Sequence, residues 1–519
     1  MGSSSDEADW QSMEAALHKA GQAHVLQPPA PPERRAAFLT QLRSLDLDSL
    51  PQLLQTSLAH AEQQGAHKEL TPFKAETLAD IPEAEAMEMR RRGLAMIAHG
   101  EVAALLLAGG QGTRLGTTAP KGCYDIGLPS HKSIFQIHAE RIRRVKQLAA
   151  AQESRTEASV RLPFLVMTSD ATDAETRAFF REHAHFGLPE EDVIFFVQGA
   201  LPCLTPEGKV MLEAPGNLAM APNGNGGVYM SLRESGLLAK LDAAGVTSIF
   251  QFGVDNVLCH VADPTFVGFC AAREADCASK TVPKRDPHEP VGVVALAGGA
   301  PAVVEYSEIS KELAEATDAE GRLLFGSVTP HPLAAPPDMS PSGPHVRLTS
   351  QRPQLTTASL HPHLAGQAHI CVNFFSMAFL RTFCETLLST LPLHVARKKI
   401  PYVDTDGTRV TPTSNNGVKL ELFIFDTFPH AKRMAALEVP REAEFAPVKN
   451  PPGAASDSPD TARQMIYALS KARIRAAGGA LASEGEVEVS PLLSYQGEGL
   501  EERVSGQTLS PPVHLEVGS

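Results

Sequence analysis

A glycine-rich segment with two cationic side chains has residue types and spacing that could do chemistry. Residues 105–121 read LLLAGGQGTRLGTTAPK. The glycines let the backbone turn tightly and approach a ligand with no Cβ in the way, and backbone N–H groups in such a loop form an anion-binding concavity. Arg114 and Lys121 add positive charge where phosphate oxygens would bind. The segment therefore predicts a site for a nucleoside triphosphate.

The spacing of this segment separates it from other glycine-rich motifs. No Gly-Lys-Ser/Thr closes it as in a Walker A loop, and its glycines do not follow G-x-G-x-x-G. A lone glycine loop could equally be an ordinary turn with surface charges, but the added Thr-Arg and Pro-Lys favour nucleotidyl transfer. That reaction needs Arg or Lys, backbone donors, and a carboxylate to hold Mg²⁺ (or Mn²⁺).

Polar residues that follow other apolar segments are further candidates. Asp255, in FGVDN, could hold the divalent cation or a ribose hydroxyl, or could only form an Asx turn. The amide of Gln198 could pair with the edge of a base. Asn225 lies in a second glycine loop, MAPNGNGGVY, which taken alone is more often a helix-entry turn than a site.

Three charged residues in the second half of the chain could contact a sugar or a phosphate. Glu305 in VVEYSEI could accept hydrogen bonds from sugar hydroxyls, unless it is an edge-strand surface residue. Lys419 opens a predicted apolar strand, and Lys449 lies in an otherwise apolar loop. Both are candidate phosphate ligands, although a surface lysine is the commoner case.

Apolar runs alternate with amphipathic segments, which indicates an α/β fold with a largely parallel sheet. Because ligands bind at the carboxyl ends of such strands, the polar residues there are expected to share one site. Strands are predicted at 102–108, 162–168, 193–198, 248–254 and 420–425, and helices at 87–97, 132–150, 174–183 and 229–244. In the helix over 132–150, Arg141 and Lys146 are expected to lie mostly off the apolar stripe.

Composition limits the class of protein. The 519 residues carry a net charge of −14, which argues against sequence-independent nucleic-acid binding. No apolar run is long enough to span a membrane, and the acidic N-terminus does not resemble a signal peptide. Seven scattered cysteines predict reduced thiols, and together these features predict a cytoplasmic protein.

Changes in composition suggest the domain organisation. Residues 1–100 are expected to form a helical region, 101–450 the nucleotidyltransferase domain, and 451–519 a small C-terminal domain. Within the central domain, 326–366 is dense in Pro, Ser and His without periodicity, which predicts a disordered insertion.

Several separate segments together resemble the eukaryotic UDP-N-acetylhexosamine pyrophosphorylases, and most of all the pyrophosphorylase-like branch of that family. The segments are LAGGQGTRLG, PKGCYDIGLPS, MAPNGNGG, VADPTFVGFC, EPVGVV, VVEYSEIS, KKIPYVDTDG, EFAPVKN and SPLLSYQGEGLE. The resemblance implies a Rossmann-like central domain and the conversion of UTP and N-acetylhexosamine-1-phosphate to the UDP-sugar and pyrophosphate with Mg²⁺. A homodimer is compatible with it.

The resemblance also implies a role for each matching residue. The implied nucleotide contacts are Leu107, Ala108, Gly109, Gly110, Lys121, Gln198, Gly224 and Asp255, with Asp255 also at the metal. The implied sugar contacts are Asn225, Glu305, Tyr306 and Lys419, and the implied catalytic residues are Arg114, Lys121 and Lys449.

Two departures from the family pattern concern the sugar and base side. Asn223 stands where the family usually has Asp, and His369 stands in place of the expected sugar-contacting Asn, with Asn373 nearby. Three hypotheses therefore remain: an N-acetylhexosamine-1-phosphate uridylyltransferase, the same chemistry on another sugar phosphate, and a catalytically weak homologue that binds UTP or UDP-sugar and acts through protein interaction.

Overall fold

A computed structural model of the chain describes residues 4–65, 69–306, 308–317 and 367–518. The predicted insertion at 326–366 lies outside these residues. The helices of the described part are α1 (Ser4–Lys19), α2 (Arg35–Arg43), α3 (Leu50–Gly65), α4 (Glu83–Ala98), α5 (Ile134–Gln152), α6 (Asp173–Glu182), α7 (Val228–Glu234), α8 (Leu237–Ala243), α9 (Pro264–Ala272), α10 (Lys311–Ala314), α11 (Met377–Thr386), α12 (Arg441–Glu444), α13 (Pro459–Ala476) and α14 (Glu501–Val504).

The strands of the described part form one large sheet and several small ones. They are β1 (Leu70–Pro72), β2 (Glu76–Thr77), β3 (Val102–Leu107), β4 (Phe164–Thr168), β5 (Val193–Val197), β6 (Ala200–Pro202), β7 (Leu212–Ala214), β8 (Asn217–Leu218), β9 (Met220–Pro222), β10 (Ser248–Gly253), β11 (Cys277–Pro283), β12 (Val293–Ala297), β13 (Ala300–Val304), β14 (Gln367–Ser376), β15 (His394–Lys398), β16 (Tyr402–Val403), β17 (Arg409–Val410), β18 (Gly417–Glu421), β19 (Met434–Glu438), β20 (Ala480–Leu481), β21 (Val487–Val489), β22 (Thr508–Leu509) and β23 (Val513–Leu515).

The large sheet has the order β2-β19-β11-β14-β10-β3-β4-β5, with β1, β12 and β13 attached beside β14. The run β10-β3-β4-β5 is parallel, and so are the pairs β11–β19 and β19–β2. Strand β14 is antiparallel to both of its neighbours, β10 and β11. The predicted α/β class with a mixed, largely parallel sheet is confirmed.

Both faces of the central strands are covered, as expected for parallel strands. In β3, Ala104 and Leu106 pack into the core that contains α4, α5 and α9. The alternate residues, Ala103 and Leu105, pack into the core that contains α7, α8 and α11. A strand buried on both faces reads as a continuous apolar run, which is why VAALLL was recognisable in the sequence.

The two ends of the chain build separate apolar clusters. Helices α1 to α3 pack, through residues such as Leu17 and Phe38, against β18 and the short strands after β5. After α13, the parallel pair β21–β23 packs on the last turns of that helix through Val487 and Ile474. None of the described helices is long and apolar enough to cross a membrane.

The structure corrects the prediction of one helix over 229–244. Gly236, at φ +68°, separates α7 from α8. Glycine adopts this left-handed conformation at little cost, so the chain turns there and the helix ends. The apolar periodicity on either side of Gly236 resembled one helix because both halves face the same core.

The structure also corrects the expected exposure of two basic residues in α5. Arg141 is buried and donates to the carbonyl of Cys259 at 3.0 Å. Lys146 is buried and lies 3.3 Å from Asp192. Their partners are distant in sequence, so the helical pattern alone could not show that these charges are satisfied inside the protein.

The strand predicted at 420–425 lies three residues earlier, at Gly417–Glu421. Lys419 is therefore its third residue and does not open it. A 3-10 helix begins at Ile424, because Asp426 caps its first turn by accepting the N–H of Phe423 at 2.9 Å. The apolar residues after 421 belong to this turn.

Glu438 makes folding stability depend on pH. It is 9 % exposed at the end of β19, its Oε2 has no hydrogen-bond partner among the described residues, and burial beside Asp80 raises its pKa to about 7. Between its ordinary value of 4.5 and about 7, the folded state binds the extra proton, so stability falls as pH rises.

We therefore expect the stability of Glu438→Gln relative to the wild type to increase between pH 4.5 and pH 8, by on the order of 3 kcal/mol. The measurement is urea denaturation at several pH values. Exposed Glu442→Gln is the matched control and should show no such change. A stability difference for Glu438→Gln that is the same at every pH would contradict the raised pKa.

Candidate active site

Three parallel strands end at one edge of the sheet and bring predicted site residues together. Gly109 follows β3, Gln198 follows β5, and Asp255 follows β10. The order β10-β3-β4-β5 places the β3 end between the other two. The sequence prediction that these strand ends share one site agrees with this topology.

The first glycine loop folds back on itself. Gly112 donates to the carbonyl of Ala119 at 2.9 Å, and Lys121 donates from its backbone to the carbonyl of Gly110 at 3.1 Å. This pairing returns Lys121 to the start of the loop, next to the exposed Gly110. Arg114 lies in a 3-10 turn within the loop, and its side chain is exposed.

Gln198, which follows β5, is hydrogen-bonded to the second glycine loop. The Nε2 of Gln198 donates to the carbonyl of Gly224 at 2.6 Å and contacts the Oδ1 of buried Asn223 at 3.4 Å. Gly224 has φ +84°, and a Cβ there would lie 2.2 Å from the carbonyl of Leu422. Only glycine fits this close approach, which brings the loop against the chain that follows β18.

Asn225 fixes the other side of this contact. Its Oδ1 accepts the N–H of Ile424 at 2.9 Å. Between the two glycine loops lies a cavity of about 420 Å³, whose lining includes the predicted residues Leu107, Gly109, Gly110, Gln198, Gly224, Asn225 and Lys419. Its remaining wall includes Glu421 and Phe423.

Four charged side chains form an electrostatic cluster beside the first glycine loop. Burial lowers the pKa of Lys121, the positive charges of Lys449 and Arg114 lower it further, and only Asp255 acts in the opposite direction. The Val448 N–H donates to the Asp255 carbonyl at 2.9 Å, so the loop of Lys449 is docked on the strand end of Asp255. Lys121 therefore lies within the electrostatic influence of two other cations and one carboxylate, which makes this edge of the sheet suited to a polyanion.

Glu305 lines a second cavity, of about 340 Å³. Burial and the nearby Glu308 raise the pKa of Glu305. Phe423 lines both cavities, so the two are adjacent. Tyr306, by contrast, is 54 % exposed and is not among the described residues that line either cavity.

A histidine–aspartate pair that the sequence did not single out supports Phe423. The Nε2 of His394 lies 3.0 and 3.1 Å from the two carboxylate oxygens of Asp426. The His394 ring packs 4.1 Å from the centroid of Phe423. A lone His and a lone Asp separated by 31 residues give no sequence signal, so only the folded structure could reveal this pair.

His369 and Asn373, in the segment that departs from the family pattern, are hydrogen-bonded to each other. The Oδ1 of Asn373 accepts from Nε2 of His369 at 3.1 Å and from the hydroxyl of Ser279 at 2.5 Å, while its Nδ2 donates to Gln251 at 2.6 Å. Burial lowers the pKa of His369 to about 4, so its imidazole is neutral. His369 also packs edge-on against Phe425, which lines the Glu305 cavity.

An irregularity in β14 separates these two residues. The pairing with β11 shifts between Lys280 and Thr281, so that Ile370 and Cys371 are left out of register. Cys371 has φ +55°, and Gln251 donates to its carbonyl at 3.3 Å. Burial raises the pKa of the Cys371 thiol to about 11. A β-bulge of this kind re-aims side chains near a site.

Two places in the described part of the chain have side chains that could hold a cation. Asp255 faces the cationic cluster at the glycine loop, and one carboxylate together with substrate phosphates is a common way to bind Mg²⁺. The second group, His260, Asp263 and Glu444, is buried and has ligand atoms within 4.8 Å of one another. There, however, the ammonium of Lys280 already lies between the two carboxylates. The chemistry of the donors therefore fits a metal at Asp255 better.

The chain is similar to known proteins over most of its length. The family model described as UTP–glucose-1-phosphate uridylyltransferase matches residues 48–328, more than half of the chain. The UDP-N-acetylhexosamine pyrophosphorylase-like protein 1 of Homo sapiens is 40 % identical over 538 residues, which cover 98 % of this chain and 97 % of the human protein. The probable UDP-N-acetylglucosamine pyrophosphorylase of Dictyostelium discoideum is 39 % identical over 491 residues, covering 93 % of each chain.

Solved structures are similar over most of the chain. The uridine diphosphate N-acetylglucosamine pyrophosphorylase of Trypanosoma brucei, in complex with an inhibitor, superposes with a TM-score of 0.75 and is 30 % identical. The match covers 97 % of this chain and 95 % of the trypanosomal one.

The Asn373 network should contribute strongly to stability. Asn373→Leu would leave Gln251, Ser279 and His369 with unsatisfied buried polar groups, which costs about 1–3 kcal/mol for each group. We expect a marked fall in the urea midpoint for this variant. Gln152→Leu, which alters an exposed amide on α5, is the control and should change the midpoint little. Equal midpoints for the two variants would show that the network is not needed for stability.

Proposed function

This chain belongs to the UTP–glucose-1-phosphate uridylyltransferase family and is a nucleotidyltransferase, and from this premise we propose its substrates and the residues that act on them. The reaction is the conversion of UTP and N-acetylglucosamine-1-phosphate, or its galactosamine epimer, to the UDP-sugar and pyrophosphate. The observation that carries the proposal is the electrostatic cluster of Lys121, Arg114, Lys449 and Asp255 beside the first glycine loop, where the hydrogen bond from the Val448 N–H to the Asp255 carbonyl docks the loop of Lys449 on the end of β10.

The nucleotide binds at the first cavity. Backbone groups of Leu107 to Gly110 and the side chain of Lys121 contact its phosphates and ribose, and Gln198 and Gly224 contact its base. The 2.6 Å hydrogen bond between Gln198 and Gly224 supports this assignment, because it holds the amide and the loop in one fixed arrangement before ligand binds. Backbone contacts of this kind do not depend on the identity of side chains.

Transfer proceeds by in-line displacement. A phosphate oxygen of the sugar phosphate attacks the α-phosphorus, the new P–O bond forms, and the bond to the pyrophosphate oxygen breaks with its electron pair. Arg114, Lys121 and Lys449 neutralise the charge that develops on the α-phosphate and on the leaving group. The exposed position of Arg114 supports its role toward a mobile leaving group, since it can reach the phosphates without displacing buried groups.

Asp255 is the residue that would hold a divalent cation, Mg²⁺ or Mn²⁺. The ion would supply charge neutralisation at the phosphates. The carboxylate itself lowers the electrostatic cost of bringing Lys121 and Lys449 together.

The sugar phosphate binds on the side of Phe423 and the second cavity. Lys419 contacts its phosphate, and Asn225, Glu305 and Tyr306 contact the sugar. Glu305 is supported by its place in the lining of the second cavity, and Asn225 by its place in the lining of the first. His369 acts on this side through Phe425, as a neutral and apolar-facing group.

The test of this function is pyrophosphate release by the purified chain. UTP would be combined with N-acetylglucosamine-1-phosphate, N-acetylgalactosamine-1-phosphate or glucose-1-phosphate, with and without Mg²⁺. We expect release with an N-acetylhexosamine phosphate and little with glucose-1-phosphate. Preference for glucose-1-phosphate would favour the same chemistry on another sugar. UTP binding without release for any sugar would favour a catalytically weak homologue that acts through binding.

Arg114→Ala should lower kcat by about 10²–10³-fold with the fold intact, because it removes a charge that stabilises the transition state. Arg92→Ala is the matched control, since Arg92 is also an exposed arginine but lies on α4. Turnover and the melting temperature are measured for both variants. Near-normal turnover of Arg114→Ala would exclude its assigned role.

A further inference from the structure

A buried ion cluster lies behind the charged side of the proposed active site. Lys280 on β11 is fully buried, and its ammonium lies 2.5 Å from the Oδ2 of Asp263 and 2.6 Å from the Oε2 of Glu444. The Nδ1 of His260 lies 3.3 Å from the Oε1 of Glu444. The positive charge of Lys280 holds the pKa of Glu444 below its ordinary value despite the burial of this carboxyl, so Glu444 is ionised.

Such a cluster is not explained by stability alone. Removing three charges from water carries a desolvation penalty that their mutual attraction often fails to offset, and apolar replacements can be as stable. None of the roles proposed for UTP, metal or sugar uses Lys280, Asp263 or Glu444. The cluster is therefore a candidate for fixing geometry, which is the best-supported use of buried ionic groups.

Its carboxylates come from the two segments that carry active-site residues. Asp263 lies on the segment that follows Asp255, at the N-cap of α9. Glu444 ends α12 and precedes Lys449 by five residues. One ammonium on a third element, β11, thus binds both segments at once. Because β11 lies within the central sheet, it fixes the positions of both segments relative to the sheet and to each other.

Between the cluster and the active site, the two segments are joined like a short antiparallel ladder. The Nδ2 of Asn256 donates to the carbonyl of Glu444 at 2.8 Å, and its Oδ1 accepts the N–H of Ala446 at 3.0 Å. Backbone hydrogen bonds run from Val448 to Asp255, at 2.9 Å, and from Val257 to Ala446, at 3.2 Å. A displacement of Glu444 would therefore be transmitted to Lys449.

Residues of the C-terminal part of the chain close the cluster from the other side. The Nη2 of Arg473 lies 3.3 Å from the Nε2 of His260, and the Nε2 of Gln496 lies 3.2 Å from its Nδ1. The hydroxyl of Tyr495 donates to the carbonyl of Val261 at 2.9 Å. These contacts exclude water, which keeps the attraction between Lys280 and its two carboxylates strong.

We propose that Lys280 is a positioning residue for nucleotidyl transfer, which sets the separation of Asp255 and Lys449 by binding Asp263 and Glu444 together. The inference rests on the proposed function, since it concerns the roles of Asp255 and Lys449 in that reaction. Lys280 itself does not touch the substrate; it acts through the two segments that it joins.

The test compares Lys280→Met with Lys146→Met in the full chain. Lys146 is the matched control because it is also a buried lysine bound to a buried carboxylate, Asp192, which precedes the first residue of β5, whereas the candidate site lies at the carboxyl ends of the strands. We expect kcat of Lys280→Met to fall by about 100-fold, as for a misplacement of about 1 Å in the catalytic geometry, with a much smaller change in the KM for UTP. Lys146→Met should keep nearly normal kcat even if it melts earlier.

Hydrogen–deuterium exchange gives a measurement independent of turnover. In Lys280→Met, amides in the peptides covering 255–258 and 444–449 should exchange faster than in the wild type, while Lys146→Met should leave them unchanged. Equal kcat and equal exchange for the two variants would overturn the proposal. If the wild type has no turnover, the proposed function fails, and the exchange measurement still decides whether Lys280 holds the two segments together.

A second variant covers the case in which Lys280→Met does not fold. Glu444→Gln keeps the shape of the side chain and its contact with Lys280 but removes one charge. It should also lower kcat, by less than Lys280→Met does, and should also make the amides in 444–449 exchange faster than in the wild type. A Glu444→Gln protein with wild-type kcat and exchange would overturn the positioning role.

Discussion

The concentration of like charge at one edge of the sheet is the constraint on which the site depends. Lys449 and Arg114 lie close enough to Lys121 to lower its pKa, and among the described groups that act on Lys121 the charge of Asp255 has the opposite sign. Without a bound anion these cations repel each other, and the surrounding structure must hold them in place. When a polyanion binds, each of these cations attracts it. The rigid loops therefore allow the cations to contribute to binding, because they hold them together against their mutual repulsion.

Different kinds of contact supply that rigidity on the two sides of the site. On the side proposed to bind the nucleotide, the rigidity comes from backbone geometry: the hydrogen-bonded pairing within the first glycine loop, and the Gln198 amide bound to Gly224. On the Lys449 side, β19 ends at Glu438, well before Lys449. The loop there is instead held by the Asn256 amide and by buried charges.

This difference explains what the sequence could and could not predict. Buried strands and glycine loops are local patterns, so the strand ends that carry Gly109, Gln198 and Asp255 were predictable, as was the largely parallel sheet. The break at Gly236 was also local, but identical apolar spacing on both sides hid it. Contacts between residues far apart in sequence left no local signal, which is why the burial of Arg141 and Lys146 was missed.

The side proposed to bind the sugar can change its specificity more easily than the side proposed to bind the nucleotide. The nucleotide contacts that we propose for backbone groups would tolerate side-chain changes, whereas the second cavity is shaped by side chains such as Glu305, Phe423 and Phe425. His369 is not among the described residues that line this cavity. Its Nε2 is bound to Asn373, and its ring packs on Phe425, which does line it. The bulge at Cys371 adds length to β14 at this place without disturbing the paired residues on either side. A change of sugar preference could therefore arise in β14 and its neighbours while the glycine loops and their cations stayed as they are.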